Sequence, residues 1–74
     1  MEATAPNAIQ VFVNGESKFA PQGLNVVQLL DFLAIDASRV AVELNRSIVR
    51  KQDWIATVVE GGAQVEIVWF VGGG

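Results

Sequence analysis

The residue types that could do chemistry in this 74-residue chain are few, and they narrow the chemistry sharply. There is no cysteine and no histidine. That removes thiolate and imidazole metal ligands, the common Ser-His and Cys-His nucleophile pairs, and the usual general base. Asp31, Asp36 and Asp53 lack the spacing of a metal loop and read as capping or solvated residues. No paired-carboxylate arrangement stands out, so neither a catalytic residue nor a metal site is assigned. What remains is the end of the sequence, "VEIVWFVGGG", where an apolar strand runs into Gly72, Gly73 and Gly74. Three glycines have no side chain to pack, transfer a proton or hold a metal. Chemistry there is confined to the backbone and the α-carboxylate of Gly74. The triplet is no phosphate cradle, because no helix follows it.

The rest of the chain must be the scaffold that presents this end. Seventy-four residues make one domain, near the size at which a single core becomes marginal. The composition is 51% apolar, enough for a true core, and the formal charge is −3. An acidic balance disfavours nucleic acid and anionic membranes as partners and suits a basic protein surface. The first residues lack the basic start and apolar run of a signal peptide, and no stretch approaches the roughly 20 apolar residues of a membrane span. A soluble cytoplasmic protein is expected. Residues 1–7 are expected to form a disordered leader, 8–71 the folded domain, and 72–74 a flexible tail.

Hydrophobic periodicity supplies the elements. Ile9, Val11 and Val13 alternate with polar or outward residues, Asn14-Gly15 favours a tight hairpin, and "ESKFA" returns as a second strand that Pro21 ends. Asn25 and Gln28 have the spacing of a capping box. Val26, Leu29, Leu30 and Leu33 then mark one face of a helix over residues 26–34. Val40, Val42 and Leu44 form a third strand, Asn45-Arg46 a turn, and Ile48-Val49 a short fourth strand. Trp54 and Val58 suggest a short helix or 3₁₀ segment stopped by Gly61-Gly62. The last strand carries Val65, Ile67 and Trp69 on one face and Glu66, Val68 and Phe70 on the other. Both tryptophans are expected in the core. Phe12, Val68 and Phe70 face away from the helix. With Ala41 beside them they are expected to form one apolar patch leading into the tail, rimmed by Glu43 and Glu66.

This order resembles the ubiquitin-like β-grasp fold, an α+β arrangement with a mixed sheet of four to five strands, one main helix packed across it and a short second helix. "IQVFVNG" resembles the first strand of ubiquitin. "NRSIVRKQDW" (residues 45–54), the glycine turn at Gly62, the "VEIV" strand and the terminal "VGGG" resemble the ThiS group of sulfur carriers. Where Arg46 stands that group usually has glycine, which implies a different turn geometry here.

The resemblance implies a protein cosubstrate rather than an enzyme. A partner similar to ubiquitin-activating enzymes (ThiF-like) would use MgATP to adenylate the carboxylate of Gly74. A sulfur donor such as a cysteine desulfurase would supply the sulfur for a thiocarboxylate, and a thiazole synthase (ThiG-like) would consume it. The chain itself would bind no cofactor. Gly72 and Gly73, free of Cβ, would thread a narrow passage. Phe12, Ala41, Glu43, Glu66, Val68, Phe70 and Val71 would form the docking surface, the two glutamates pairing with basic residues of the activating enzyme. Two alternatives stay open: a carrier of the same fold serving molybdopterin or another pathway, and a ubiquitin-like interaction module whose tail is never activated.

Overall fold

The computed structural model describes residues 7–71; the expectations for the leader before Asn7 and for the glycine tail lie outside them. Five strands form one mixed sheet: β1 (Ala8–Val13), β2 (Glu16–Pro21), β3 (Val40–Leu44), β4 (Ser47–Val49) and β5 (Gln64–Trp69). Their spatial order is β2-β1-β5-β3-β4. The last strand therefore enters the middle of the sheet, parallel to β1 and antiparallel to β3. One helix, α1 (Val26–Phe32), joins the two hairpins, and its buried face of Val26, Leu29 and Leu30 meets the core of the sheet. This is the β-grasp arrangement. Among the described residues, no helix is long and apolar enough to cross a membrane.

The hairpin turns are set by residues that accept positive φ. Asn14 and Gly15 sit at φ 50° and 84°, the left-handed pair of a two-residue hairpin. Asn45 and Arg46 sit at φ 50° and 72°. Arg46 thus takes the backbone conformation that glycine would take. The turn has the same signs of φ as Asn14-Gly15, and the arginine carries the strain of a left-handed residue. Pairing also continues to the end of β2. Pro21, opposite Ala8, is the last residue of β2, as its type implies, and one further bond, Gln22 N to Asn7 O at 2.6 Å, follows it. As an edge residue it has no inward bond to lose.

The capping box forms as the sequence implies: Gln28 N donates to Asn25 Oδ1 and Asn25 N to Gln28 Oε1. The helix stops earlier than expected. Leu33 is its C-cap, Ala34 turns left-handed at φ 61°, Ile35 N donates to Leu30 O and Ala34 N to Asp31 O. This is a Schellman ending with alanine where glycine is usual. A 3₁₀ turn over Ala37–Arg39, capped by Asp36, then leads into β3.

The second expected helix is a 3₁₀ segment, Lys51–Ala56. It is anchored by buried Trp54, whose Nε1 donates to Val49 O at 2.8 Å and whose ring lies 5.4 Å from Lys51 Nζ. It ends at Ala56 rather than at Gly61-Gly62. Thr57–Val59 run extended beside the start of α1: Val26 N donates to Thr57 O, and Val59 N to Leu24 O. In that extended stretch Val59 is buried and Val58 faces solvent, the reverse of the helical spacing. Gly62, at φ 85°, turns the chain into β5.

Candidate functional site

β5 delivers the chain to its glycine end. Its inward side chains Val65 and Ile67 are buried and hold it to the core. Two turn asparagines hold it from either flank. Asn45 N donates to Gln64 O at 2.8 Å while its Oδ1 accepts from Gln64 N at 2.9 Å. Asn14, from the other hairpin, accepts from Ile67 N through Oδ1 at 2.7 Å and donates from Nδ2 to Ile67 O at 3.2 Å. The Asn14 carboxamide thus acts as one more peptide rung after β1 has turned away.

Past this clamp the chain becomes apolar and open on both faces. Val68 is 56% exposed, Trp69 50%, Phe70 59% and Val71 97%. Trp69 lies opposite Val40, on the inward side of the sheet, yet half of it meets solvent. The expectation that both tryptophans are core fails for this one. β1 ends at Val13, beside Val65, so Trp69 lies beyond the last residue of its neighbouring strand on that side. Trp69 therefore joins the surface as a residue that strand alternation alone assigns to the interior. The signal was present in the sequence: Ile67–Val71 is an unbroken apolar run, which period two does not explain if one face is solvated.

The outward face divides the expected patch in two. Ala41 is the direct cross-strand partner of Val68, and Phe70 N donates to Arg39 O just beyond it. Ala41, Val68 and Phe70 are thus brought together beside Val71. Phe12 is not among them. The parallel register sets it beside Gln64, four residues from Val68, or about 13 Å along the strand. It is half-buried there. Between the two apolar groups lies the pair Glu43 and Glu66, directly opposite each other on β3 and β5. They face one another as like charges rather than forming a rim. Neither has a salt-bridge partner among the described residues, where the two ion pairs are Lys18–Glu16 and Arg39–Asp36.

No group of three or more potential metal ligands occurs among the described residues. An apolar groove lined by Ala8, Phe19, Ala20, Pro21 and Phe32 sits where β1 begins and α1 ends. Because β1 runs parallel to β5, this groove is at the end of the sheet opposite Val71. It is not part of the site. What the site can do is mechanical and adhesive. It holds a strand rigidly up to Ile67, presents four apolar residues on it, and leads to Gly72–Gly74, which lie outside the described residues.

The model of the ThiS family matches residues 6–74. A crystal structure of the thiamine biosynthesis protein (ThiS) from Geobacter metallireducens superposes with a TM-score of 0.79 at 36% identity, covering 89% of this chain and all of that one. A thiazole synthase of Paramagnetospirillum magneticum is 38% identical over 66 residues; the match takes in 89% of this chain but 20% of that protein. The chain therefore spans about one-fifth of the thiazole synthases it matches. The uncharacterized protein ycf40 of Trieres chinensis is 30% identical over 63 residues and is covered over 86% of its length.

Proposed function

The chain belongs to the ThiS family of β-grasp sulfur carriers, and from that premise we propose that its reactive group is the α-carboxylate of Gly74, activated and loaded with sulfur by partner enzymes. The chain acts as a protein cosubstrate and not as an enzyme. A free carboxylate is a poor electrophile. A partner that binds MgATP joins the Gly74 carboxylate oxygen to the α-phosphorus and expels pyrophosphate, giving an acyl-adenylate. A thiol reduces the persulfide sulfur of a donor such as a cysteine desulfurase to hydrosulfide, ending as a disulfide itself, and the hydrosulfide attacks the Gly74 carbonyl carbon and expels AMP. The product is a thiocarboxylate. A thiazole synthase takes its sulfur, and the two thiazole synthase relatives favour that destination over molybdopterin.

One observation carries this reading: the central strand of the sheet, clamped at Ile67, runs through an apolar and highly exposed Val68–Val71 stretch directly toward the glycines. Gly72 and Gly73 supply a backbone without Cβ, which passes close to a nucleotide where other residues would clash. Ala41, Val68, Phe70 and Val71 supply the docking surface, with Phe12 as a separate contact and Glu43 and Glu66 as acceptors for basic groups of the enzyme. The setting is the cytoplasm, where MgATP is available. The test is mass spectrometry of the protein incubated with its adenylating enzyme, MgATP and a sulfur donor. A mass gain of one oxygen-to-sulfur exchange, localised to Gly74, is expected. A chain lacking Gly74 should melt as the parent does and gain nothing. Sulfur found elsewhere, or a parent chain that is never adenylated, refutes the proposal.

A further inference from the structure

β5 has two edges, and they end differently. On one side β3 pairs with it from Leu44 opposite Val65 to Val40 opposite Trp69. On the other, β1 contributes two register pairs, Phe12 beside Gln64 and Val13 beside Val65. Asn14 adds one rung, through its own N–H to Val65 O and its side chain to Ile67. Strand geometry then fixes which groups remain. Phe70 N donates to Arg39 O, so the even-numbered residues of β5 bond toward β3. Val65 and Ile67 bond toward β1. The same alternation turns the N–H and C=O of Trp69 and the N–H of Val71 to the β1 side. None of these three groups has a backbone partner among the described residues.

The contrast with the outer edges of the sheet is informative. β2 carries Glu16, Lys18 and Pro21, and β4 is three residues long. Charge, proline and shortness are the devices that keep strand edges from pairing with other chains. The Val68–Val71 edge has neither charge nor proline, and it carries an exposed apolar side chain at every position.

We propose that this half-edge is a strand-addition site, taken by an extended segment of the adenylating partner that pairs with Trp69 and Val71 in line with β1. This rests on the sulfur-carrier reading. The occupant is an extended peptide with a free N–H and C=O opposite Trp69. Its β-branched or aromatic side chains contact Trp69 on one face and Val68 and Phe70 on the other. Main-chain bonds fix its register and the side chains give specificity. A second copy of this chain fits less well. Two such edges would meet over little more than Trp69 and Val71, and each copy carries a formal charge of −3, so two copies repel where a basic segment of a partner would not.

The experiment uses the full chain made by chemical synthesis, with and without an N-methyl group on Trp69, and the purified adenylating enzyme from the same genome. N-methylation removes one donor and keeps the indole. Trp69 N–H has no role in the fold, so melting should not change. Binding is expected to weaken at least roughly tenfold, the scale of a lost interfacial hydrogen bond together with the methyl group's obstruction. In the unmodified chain, amide exchange at Trp69 and Val71 should slow on adding the enzyme, a readout independent of any variant. Equal affinity of the methylated chain, or unchanged exchange at both amides in the complex, overturns the proposal. Protection that grows with the concentration of this chain alone assigns the edge to a second copy and also overturns it. An unmodified chain that the enzyme fails to adenylate refutes the carrier reading itself, a result separable from the others.

Discussion

Replacing Asn14 by alanine removes a clamp whose two halves can be separated. The carboxamide makes two bonds to Ile67, at 2.7 and 3.2 Å, in a partly buried setting. Each contributes about 1 kcal/mol net. Asn14 also sits at φ 50°, where alanine costs about 1 kcal/mol more. Asn14→Ala should therefore destabilise the domain by about 3 kcal/mol, and Asn14→Gly, which tolerates the dihedral, by about 2 kcal/mol. A domain of this length has roughly 4–11 kcal/mol in all. At roughly 4–8 °C per kcal/mol, the alanine variant should melt about 12–24 °C below the parent. Calorimetry supplies the melting points. Amide exchange at Ile67 shows whether the loss is local, because its N–H would then lack its acceptor. If Asn14→Gly melts with the parent and the Ile67 amide stays protected, the side-chain clamp contributes nothing and β5 is held by packing alone.

Arg46→Gly should raise stability by roughly 0.5–1 kcal/mol, since the left-handed strain at φ 72° is relieved at a smaller entropic cost; a lower melting point would mean the arginine side chain contributes a contact. Glu66→Gln removes one of two like charges directly opposite each other and should stabilise by roughly 0.2–1 kcal/mol, while weakening binding to the adenylating enzyme; unchanged binding would remove the pair from the docking surface. Phe70→Glu should weaken the same binding with little effect on melting, because the ring is largely exposed; an unfolded variant would contradict that placement. The Asp36 carboxyl titrates below the ordinary aspartate range because the Ser38 hydroxyl and then the Ser38 N–H donate to it, with Arg39 adding its charge. Its folded-state value is depressed, so the cap's contribution is present above the unfolded aspartate value and fades as pH falls through the folded one. Carbon-detected NMR titration should show this low midpoint and its return toward normal in Ser38→Ala.

What was legible in the sequence was what is local. Asn14-Gly15 and the Asn25/Gln28 box involve neighbours one and three residues apart, and both form as their types require. The alternation of Val40 and Val42, and of Val65 and Ile67, is likewise a property of single strands. The failures depend on distances along the chain that no window spans. Ala34 gives no hint that it will adopt φ 61° and stop the helix, because alanine seldom does so. Trp69 faces inward by alternation, yet it lies four residues past Val65, the last position that β1 flanks, and half of it meets solvent. Phe12 and Val68 share a face, as alternation requires, but face is not proximity. The parallel register of β1 and β5 sets them four residues apart, and register is fixed by the whole core. The bonding of Asn14 to Ile67, 53 positions away, had no signature beyond an ordinary turn residue.

The same asparagine explains why the molecule has an open edge where it does. A turn at Asn14-Gly15 ends β1 and sends the chain back along β2, which leaves the far half of β5 without a neighbour. A bare edge starting at Ile67 would loosen the strand that leads to Val71. A carboxamide presents one donor and one acceptor, as a peptide group does, and so meets both needs of Ile67. A carboxylate offers only acceptors, and a shorter hydroxyl reaches less far. Asn14 therefore terminates one strand and secures another, and in doing so sets the boundary between the anchored part of β5 and the part available to a partner. Lengthening β1 would cover Trp69 and Val71 and steady the sheet. The chain instead carries four consecutive exposed apolar residues on its unprotected edge, positions 68–71, as expected if that stretch is built to be covered by another protein.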